Sequence, residues 1–202
     1  MNEEAALAWL EAQHAERMPV LRALVEHTLA ENGRQNLIAA ASEARVWSRH
    51  IVDSAQLLTL VPDGGVWLDI GTGGGFPGLV IAALRDDPVV LVEPRARRAT
   101  YLRDTAEALG LGHVTVHGCR IERVPPVGAA IISARALAAL PAVFALSVPH
   151  ATRSTRWVLP KGRSAQSEVA SARAAWHGAF HVKPSITDPE AWIVLADGVR
   201  PR

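Results

Sequence analysis

The chain has 202 residues, 49% of them hydrophobic and 20% charged, with a formal charge of +1. That composition is ordinary for a globular protein and argues against wholesale disorder, and the near-neutral balance gives no bulk field that would by itself point to nucleic acid. No apolar run approaches the roughly 20 residues of a membrane span, the acidic start Met1-Asn2-Glu3-Glu4 is unlike a secretory signal, and the single cysteine, Cys119, excludes an internal disulfide framework or a cysteine-rich zinc site. These features together lead us to expect a cytoplasmic protein. Only Lys161 and Lys183 are lysines, so the basic residues are nearly all arginine. Arginine forks suit phosphates and guanine edges, although an arginine-rich, alanine-rich chain also fits a GC-rich genome.

Leu7, Leu10 and His14 share one face of a first helix, and Val20, Leu21, Leu24, Val25 and Leu29 stripe a second running from Pro19 to about Gly33. A third is expected from Ser42, as N-cap, to Leu60, before the break Pro62-Asp63-Gly64-Gly65. Short β-branched runs then alternate with helical stretches. Strands are expected at Val66–Ile70, Val89–Glu93, Val114–Val116, Ala129–Ser133 and Trp157–Leu159, with helices from Pro77, Arg95, Ala136 and Ser164. Two further strand candidates follow, near Phe180–Val182 and Trp192–Leu195. The alternation predicts an α/β fold, a Rossmann-like parallel sheet with helices on both faces. A helical cap, residues 1–62, is expected to pack on a domain of residues 63–202 as one structural unit.

The chemistry concentrates in Asp69-Ile70-Gly71-Thr72-Gly73-Gly74-Gly75, after a strand and before a helix. Glycines permit turns other residues resist and let a ligand approach the main chain, and a following helix offers free N–H groups. Asp69 can hold the loop or receive a ligand ammonium. Glu93 ends the second strand, where Rossmann-like folds place an acid on ribose hydroxyls. Gly73-Gly74-Gly75-Phe76-Pro77-Gly78 also fits the dinucleotide fingerprint G-x-G-x-x-G. Two features favour S-adenosylmethionine. A dinucleotide site has no need of Asp69 two residues ahead of the first glycine, and Pro77 stands where a pyrophosphate would want an N–H. A nucleotide oxidoreductase and a purely structural glycine turn remain the alternatives on these residues alone.

With these residues in hand the chain resembles the ribosomal RNA small subunit methyltransferase G family, also called glucose-inhibited division protein B, from about Asn32 to Gly162. Arg49-His50-Ile51-Val52-Asp53-Ser54 matches the family's basic-His-Ile-x-Asp-Ser motif, and Asp69–Gly78 its cofactor loop with the Phe-Pro-Gly ending. Arg120-Ile121-Glu122, Ala134-Arg135-Ala136 and Lys161-Gly162 match its motifs after the third, fourth and fifth strands. The resemblance implies methylation of N7 of a guanine in 16S rRNA, on free rRNA or a small-subunit precursor. It further implies that Gly71, Phe76, Ile121, Glu122 and Arg135 line the cofactor site. Asp69, Gly73, Gly75 and Glu93 join that set from the loop physics.

By the strand reading, Arg120, Arg123, Arg135, Lys161 and Arg163 fall at the carboxyl edge of the sheet, where open α/β folds bind ligands. With Arg49 and His50 they are the candidate RNA contacts. His50 and Asp53 share a helical face, either aimed at the cofactor or substrate or anchoring the cap. No H-E-x-x-H motif or Cys/His cluster points to a metal, and Cys119 has no evident base partner. Guanine N7 carries no proton, so no general base is expected. A small-molecule methyltransferase and a non-catalytic cofactor-binding protein are the alternative functions.

Overall fold

The computed structural model describes all residues 1–202. One seven-stranded sheet runs through it in the order β3-β2-β1-β4-β5-β7-β6. Strands β1 (Trp67–Ile70), β2 (Val89–Val92), β3 (Val114–His117), β4 (Ala129–Ser133) and β5 (Ala151–Lys161) pair in parallel. The last two, β6 (Trp176–Pro184) and β7 (Trp192–Pro201), form an antiparallel hairpin, with β7 paired to β5.

The two-residue period of the strands divides the apolar residues between two faces. Trp67, Val89, Leu91, Ile131 and Val158 enter one core; Leu68, Ile70, Val90, Val92, Ile132 and Trp157 enter the other. The first core is covered by α1 (Glu3–His14), α2 (Met18–Gln35), α5 (Gly78–Leu84), α6 (Ala96–Ala108) and the short helical turns between α2 and β1; the second by α7 (Leu140–Ser147) and α8 (Ala165–Ala175). Residues from Ala6 to Leu57 thus share one continuous core with the sheet. No helix is long and apolar enough to cross a membrane.

Three expectations need correction. The third helix does not run from Ser42 to Leu60. A single turn, α3 (Ala40–Glu43), ends at a turn over Ala44–Arg45, and helix resumes as a π-turn at Trp47–Val52, then α4 (Asp53–Ala55) and a 3₁₀ segment Gln56–Leu60. Ser42 is not the N-cap. Its hydroxyl donates to the Ala39 carbonyl at 2.8 Å, while the N–H groups of Trp47 and Ser48 are capped from a distance by Glu3, at 3.0 and 2.9 Å. Local sequence carries no sign of a cap 44 residues away. The helix expected from Ala136 begins only at Leu140, because Ala136 adopts φ +52 and opens a loop. Strand β5 starts at Ala151, six residues before the apolar run that signalled it, because its first half is polar and exposed.

Candidate active site

The glycine loop joins β1 to α5, and Asp69 holds it from beneath. This carboxylate is fully buried. One oxygen accepts from the Gly78 N–H at 2.9 Å and the other from the Ser133 hydroxyl at 2.7 Å, and that hydroxyl in turn accepts from the Trp67 indole at 2.8 Å. Burial raises the Asp69 pKa, and the hydrogen bonds from Ser133 and Gly78 counter it. Asp69 therefore braces the loop rather than meeting a ligand. Gly78 must be glycine, since a Cβ there would stand 2.2 Å from Leu91 and 2.8 Å from the Asp69 carboxylate.

Within the loop, Gly71 and Gly73 are partly open and have φ of +69 and +61, whereas Gly75 and Phe76 are buried. A Cβ on Gly75 would lie 2.6 Å from Leu79, so this glycine permits the turn and offers no surface to a ligand. Glu93 is nearly covered: one oxygen accepts from Gly73 N at 3.0 Å, the other from Arg95 N at 2.8 Å. Each oxygen keeps a second acceptor direction. The N–H groups of Gly71 and Gly73 are spent on Val92 O and Glu93, so what the loop offers beside the carboxylate is an acceptor set, the open carbonyls and the free directions of Glu93, that fits the ammonium and ribose hydroxyls of an aminoacyl nucleoside such as S-adenosylmethionine. The expected cofactor set thus divides. Gly71, Gly73 and Glu93 come together; Asp69, Gly75 and Phe76 support them from below. Ile121 is buried in the second core, and Glu122 is exposed on the turn after β3 with no hydrogen bond from its side chain.

Arg135 follows β4 and links the glycine loop to the helical segment below α2. Its guanidinium lies 5.5 Å above the Phe76 ring, donates to Asp53 at 3.3 Å and reaches His50 Nδ1 at 3.1 Å. A guanidinium only donates, so Nδ1 accepts and the imidazole proton sits on Nε2, which donates to Ser42 Oγ at 3.0 Å. Burial, then the charges of Arg135 and Arg49, push the His50 pKa down to about 3. Asp53 also accepts from Gln56 and Thr187. The His50–Asp53 pair thus ties the segment to Arg135, as the anchoring reading expected.

Beside this hub opens a cavity of about 990 Å³, lined by Arg49, His50, Arg135, Lys161 and Arg163 among others. Lys161 is tied to the Ala138 carbonyl at 2.6 Å and to Glu168 at 2.8 Å, and Glu168 accepts from Leu140 N. Burial favours protonation of Glu168, but its bonds to Lys161 and Ser164 outweigh that and hold its pKa below the ordinary value. Lys161 thus holds the loop over Ala138–Leu140 as well as facing the cavity. Arg49 pairs with Asp188 at 2.6 Å and Arg163 with Glu190. Arg120 and Arg123 are not part of this group: they flank the turn after β3, exposed and outside the cavity. Sequence reasoning passed over Ser133, Glu168, Asp188 and Glu190, each of which has a partner 27 to 139 residues away.

Residues 17–188 match the family model described as rRNA small subunit methyltransferase G. The chain belongs to that family. Curated relatives named ribosomal RNA small subunit methyltransferase G agree along the whole length. The one from Rhizorhabdus wittichii is 45% identical over 207 residues, covering 100% of this chain and 95% of its own. That from Novosphingobium aromaticivorans is 47% identical over 202 residues, covering 96% and 88%. Among solved structures, a SAM-dependent methyltransferase from Aquifex aeolicus matches with TM-score 0.59 at 15% identity, over 72% of this chain and 89% of that one. TYW2 from M. jannaschii, in complex with AdoMet, matches with TM-score 0.56 at 13% identity, over 76% of each. The fold is that of the class I S-adenosylmethionine-dependent methyltransferases, and the family's methyl donor is S-adenosylmethionine. This settles the open alternative at the glycine loop against the dinucleotide.

Proposed function

We propose that the protein methylates N7 of a guanine in 16S rRNA, in the cytoplasm, acting on the rRNA or a small-subunit precursor. The observation that carries this reading is the arginine-bearing cavity beside Arg135 at the carboxyl edge, with both neighbouring candidate bases already committed. His50 is neutral with its Nδ1 lone pair on Arg135, and Asp53 is spent on Arg135, Gln56 and Thr187. Such a site suits a nucleophile that has no proton to lose. Guanine N7 offers a lone pair on its major-groove edge and carries no proton.

S-adenosylmethionine, when bound, supplies an electrophilic methyl group on a sulfonium. Gly71 and Gly73 would hold it by their open backbone and Glu93 by its carboxylate. Arg135, fixed by Phe76, His50 and Asp53, positions the base and its phosphates through a charge that does not titrate. Alignment of this kind can supply on the order of 7–11 kcal/mol of rate acceleration without acid–base chemistry. The helical cap, residues 1–62, forms one wall of the cavity and acts with residues 63–202 as one unit, a reading supported by the shared core.

The test is transfer of radiolabelled methyl from S-adenosylmethionine to 16S rRNA that lacks the modification. The expected product is 7-methylguanosine, detected by strand cleavage after borohydride and aniline. Methylation of an exocyclic amine or a ribose would require a base and would overturn both mechanism and substrate. Transfer only to small molecules, or none, would favour the alternatives.

A further inference from the structure

Four cationic side chains line the cavity, Arg49, Arg135, Lys161 and Arg163, and four carboxylates answer them, Asp53, Glu168, Asp188 and Glu190. The cavity is formally neutral. The carboxylates differ in kind. Asp53 and Glu168 lie inside and each accepts several hydrogen bonds. Asp188 and Glu190 stand on the rim, on the connection between β6 and β7, and each holds one rim arginine, Arg49 and Arg163. The Arg163 and Glu190 side chains are 77% and 58% exposed, those of Arg49 and Asp188 42% and 28%. Solvent-exposed pairs of this sort hold weakly.

The backbone beneath them is fixed. Ser185 N donates to Ala191 O, Ala191 N to Asp188 O, Ser185 and Thr187 bond Gln56 and Asp53, and the Met1 ammonium donates to Thr187 O at 2.8 Å. Asp188 Oδ1 also accepts from the Glu190 N–H at 2.9 Å, so Asp188 releases Arg49 by giving up the contact at Oδ2 alone, whereas the Glu190 side chain can swing away, and the connection stays in place in both cases. A guanidinium binds a phosphodiester with the same fork geometry as a carboxylate.

We infer that Arg49 and Arg163 are a pair of phosphodiester-binding residues on the cavity lining, and that Asp188 and Glu190 occupy them as phosphate surrogates until an RNA backbone displaces both. This rests on the proposed RNA substrate and adds a selectivity device to it. A polyanion that brings a phosphate to each arginine exchanges two carboxylates at once for two phosphodiester charges and leaves the cavity neutral. A single phosphate can replace only one, so the acids screen out small anions.

The test is a cycle of variants, read by anisotropy of a labelled 16S rRNA fragment at about 100 mM salt, with S-adenosylmethionine binding measured on each as the check on folding. Asp188→Asn with Glu190→Gln should tighten RNA binding roughly tenfold. It should also make binding sensitive to millimolar inorganic phosphate, to which the unaltered protein is indifferent. Arg49→Gln with Arg163→Gln should weaken binding and flatten its log–log salt dependence by about 1.4, two contacts at about 0.7 each. Adding the acid replacements to the arginine replacements should gain less than twofold. An equal gain in both backgrounds, or equal phosphate sensitivity with and without the acids, overturns the inference. Should the arginine variant fail to fold, the phosphate competition decides alone. An unaltered protein that binds neither the rRNA nor a small-subunit precursor overturns this inference and the proposed function together. The expected coupling with a product other than 7-methylguanosine overturns the proposed chemistry alone.

Discussion

Replacing His50 by glutamine tests the hub directly through the pH dependence of stability. In the folded protein His50 Nδ1 is occupied by Arg135, and its pKa falls from 6.5 to about 3. In the unfolded chain the imidazole takes up a proton near 6.5. The folded state therefore binds fewer protons between these values, so stability rises with pH across that window and is lost as pH falls below 6.5. At pH 4.5 the gap from the unfolded value is two units, worth about 2.7 kcal/mol at 1.36 kcal/mol per unit. The ring is partly accessible, which reduces the expectation to about 2 kcal/mol. Glutamine can accept from Arg135 and does not titrate. Urea unfolding of both proteins at pH 7 and pH 4.5 should show the unaltered protein losing about 2 kcal/mol more than His50→Gln. Any constant cost of the substitution cancels in that difference, as does the opposing contribution of Asp69, whose pKa burial raises. Equal losses would mean that His50 protonates in place. The acceptor role of Nδ1 would then be wrong, and with it the argument that no base stands ready beside Arg135.

Three other substitutions probe the loop. Asp69→Ala leaves the buried Gly78 N–H and Ser133 hydroxyl without an acceptor and should destabilise the fold by about 3 kcal/mol in urea, with Asp69→Asn costing less than half as much; equal costs would show that shape, not hydrogen bonding, matters there. Gly71→Ala forces a side chain into φ +69, at about 1–2 kcal/mol, with its Cβ 2.8 Å from Leu137, and calorimetry should show at least tenfold weaker S-adenosylmethionine binding. Unchanged affinity would place the ligand elsewhere. Glu93→Ala frees the Gly73 and Arg95 N–H groups and should weaken cofactor binding by about 1–3 kcal/mol with little change in melting temperature; a protein that melts earlier but binds normally would make Glu93 purely structural.

The central part of this fold was legible because its signals are local. Each of β1 to β4 is a short apolar run closed by a turn, and the glycine loop writes its conformation in residue types that tolerate positive φ. The carboxyl-edge placement of Glu93, Arg135, Lys161 and Arg163 then followed from parallel strand order alone. What stayed hidden depends on distant partners. Glu3 caps the π-turn at Trp47, and Lys161 and Glu168 hold Ala138 and Leu140 in place of the helix expected from Ala136. Arg120 and Arg163 look alike in sequence, yet only Arg163 reaches the cavity, because β3 is an edge strand and β5 lies near the middle. Asp69 followed the same pattern. Its type marks the loop, but its engagement with Ser133 and Gly78 becomes visible only when β1 and β4 are laid side by side.

The chain of hydrogen bonds from the Trp67 indole through Ser133 and Asp69 to Gly78 has an optical and magnetic counterpart. It ties a buried chromophore to the glycine loop proposed to hold the cofactor. Trp192 lies on the wall of the cavity that Arg135 also lines. The molecule therefore carries two aromatic probes in place, one wired to the glycine loop and one facing the cavity proposed for the nucleic acid. With 5-fluorotryptophan incorporated, the two occupancies can be followed in a single fluorine spectrum, and the order in which donor and RNA bind can be read without attaching a label to either.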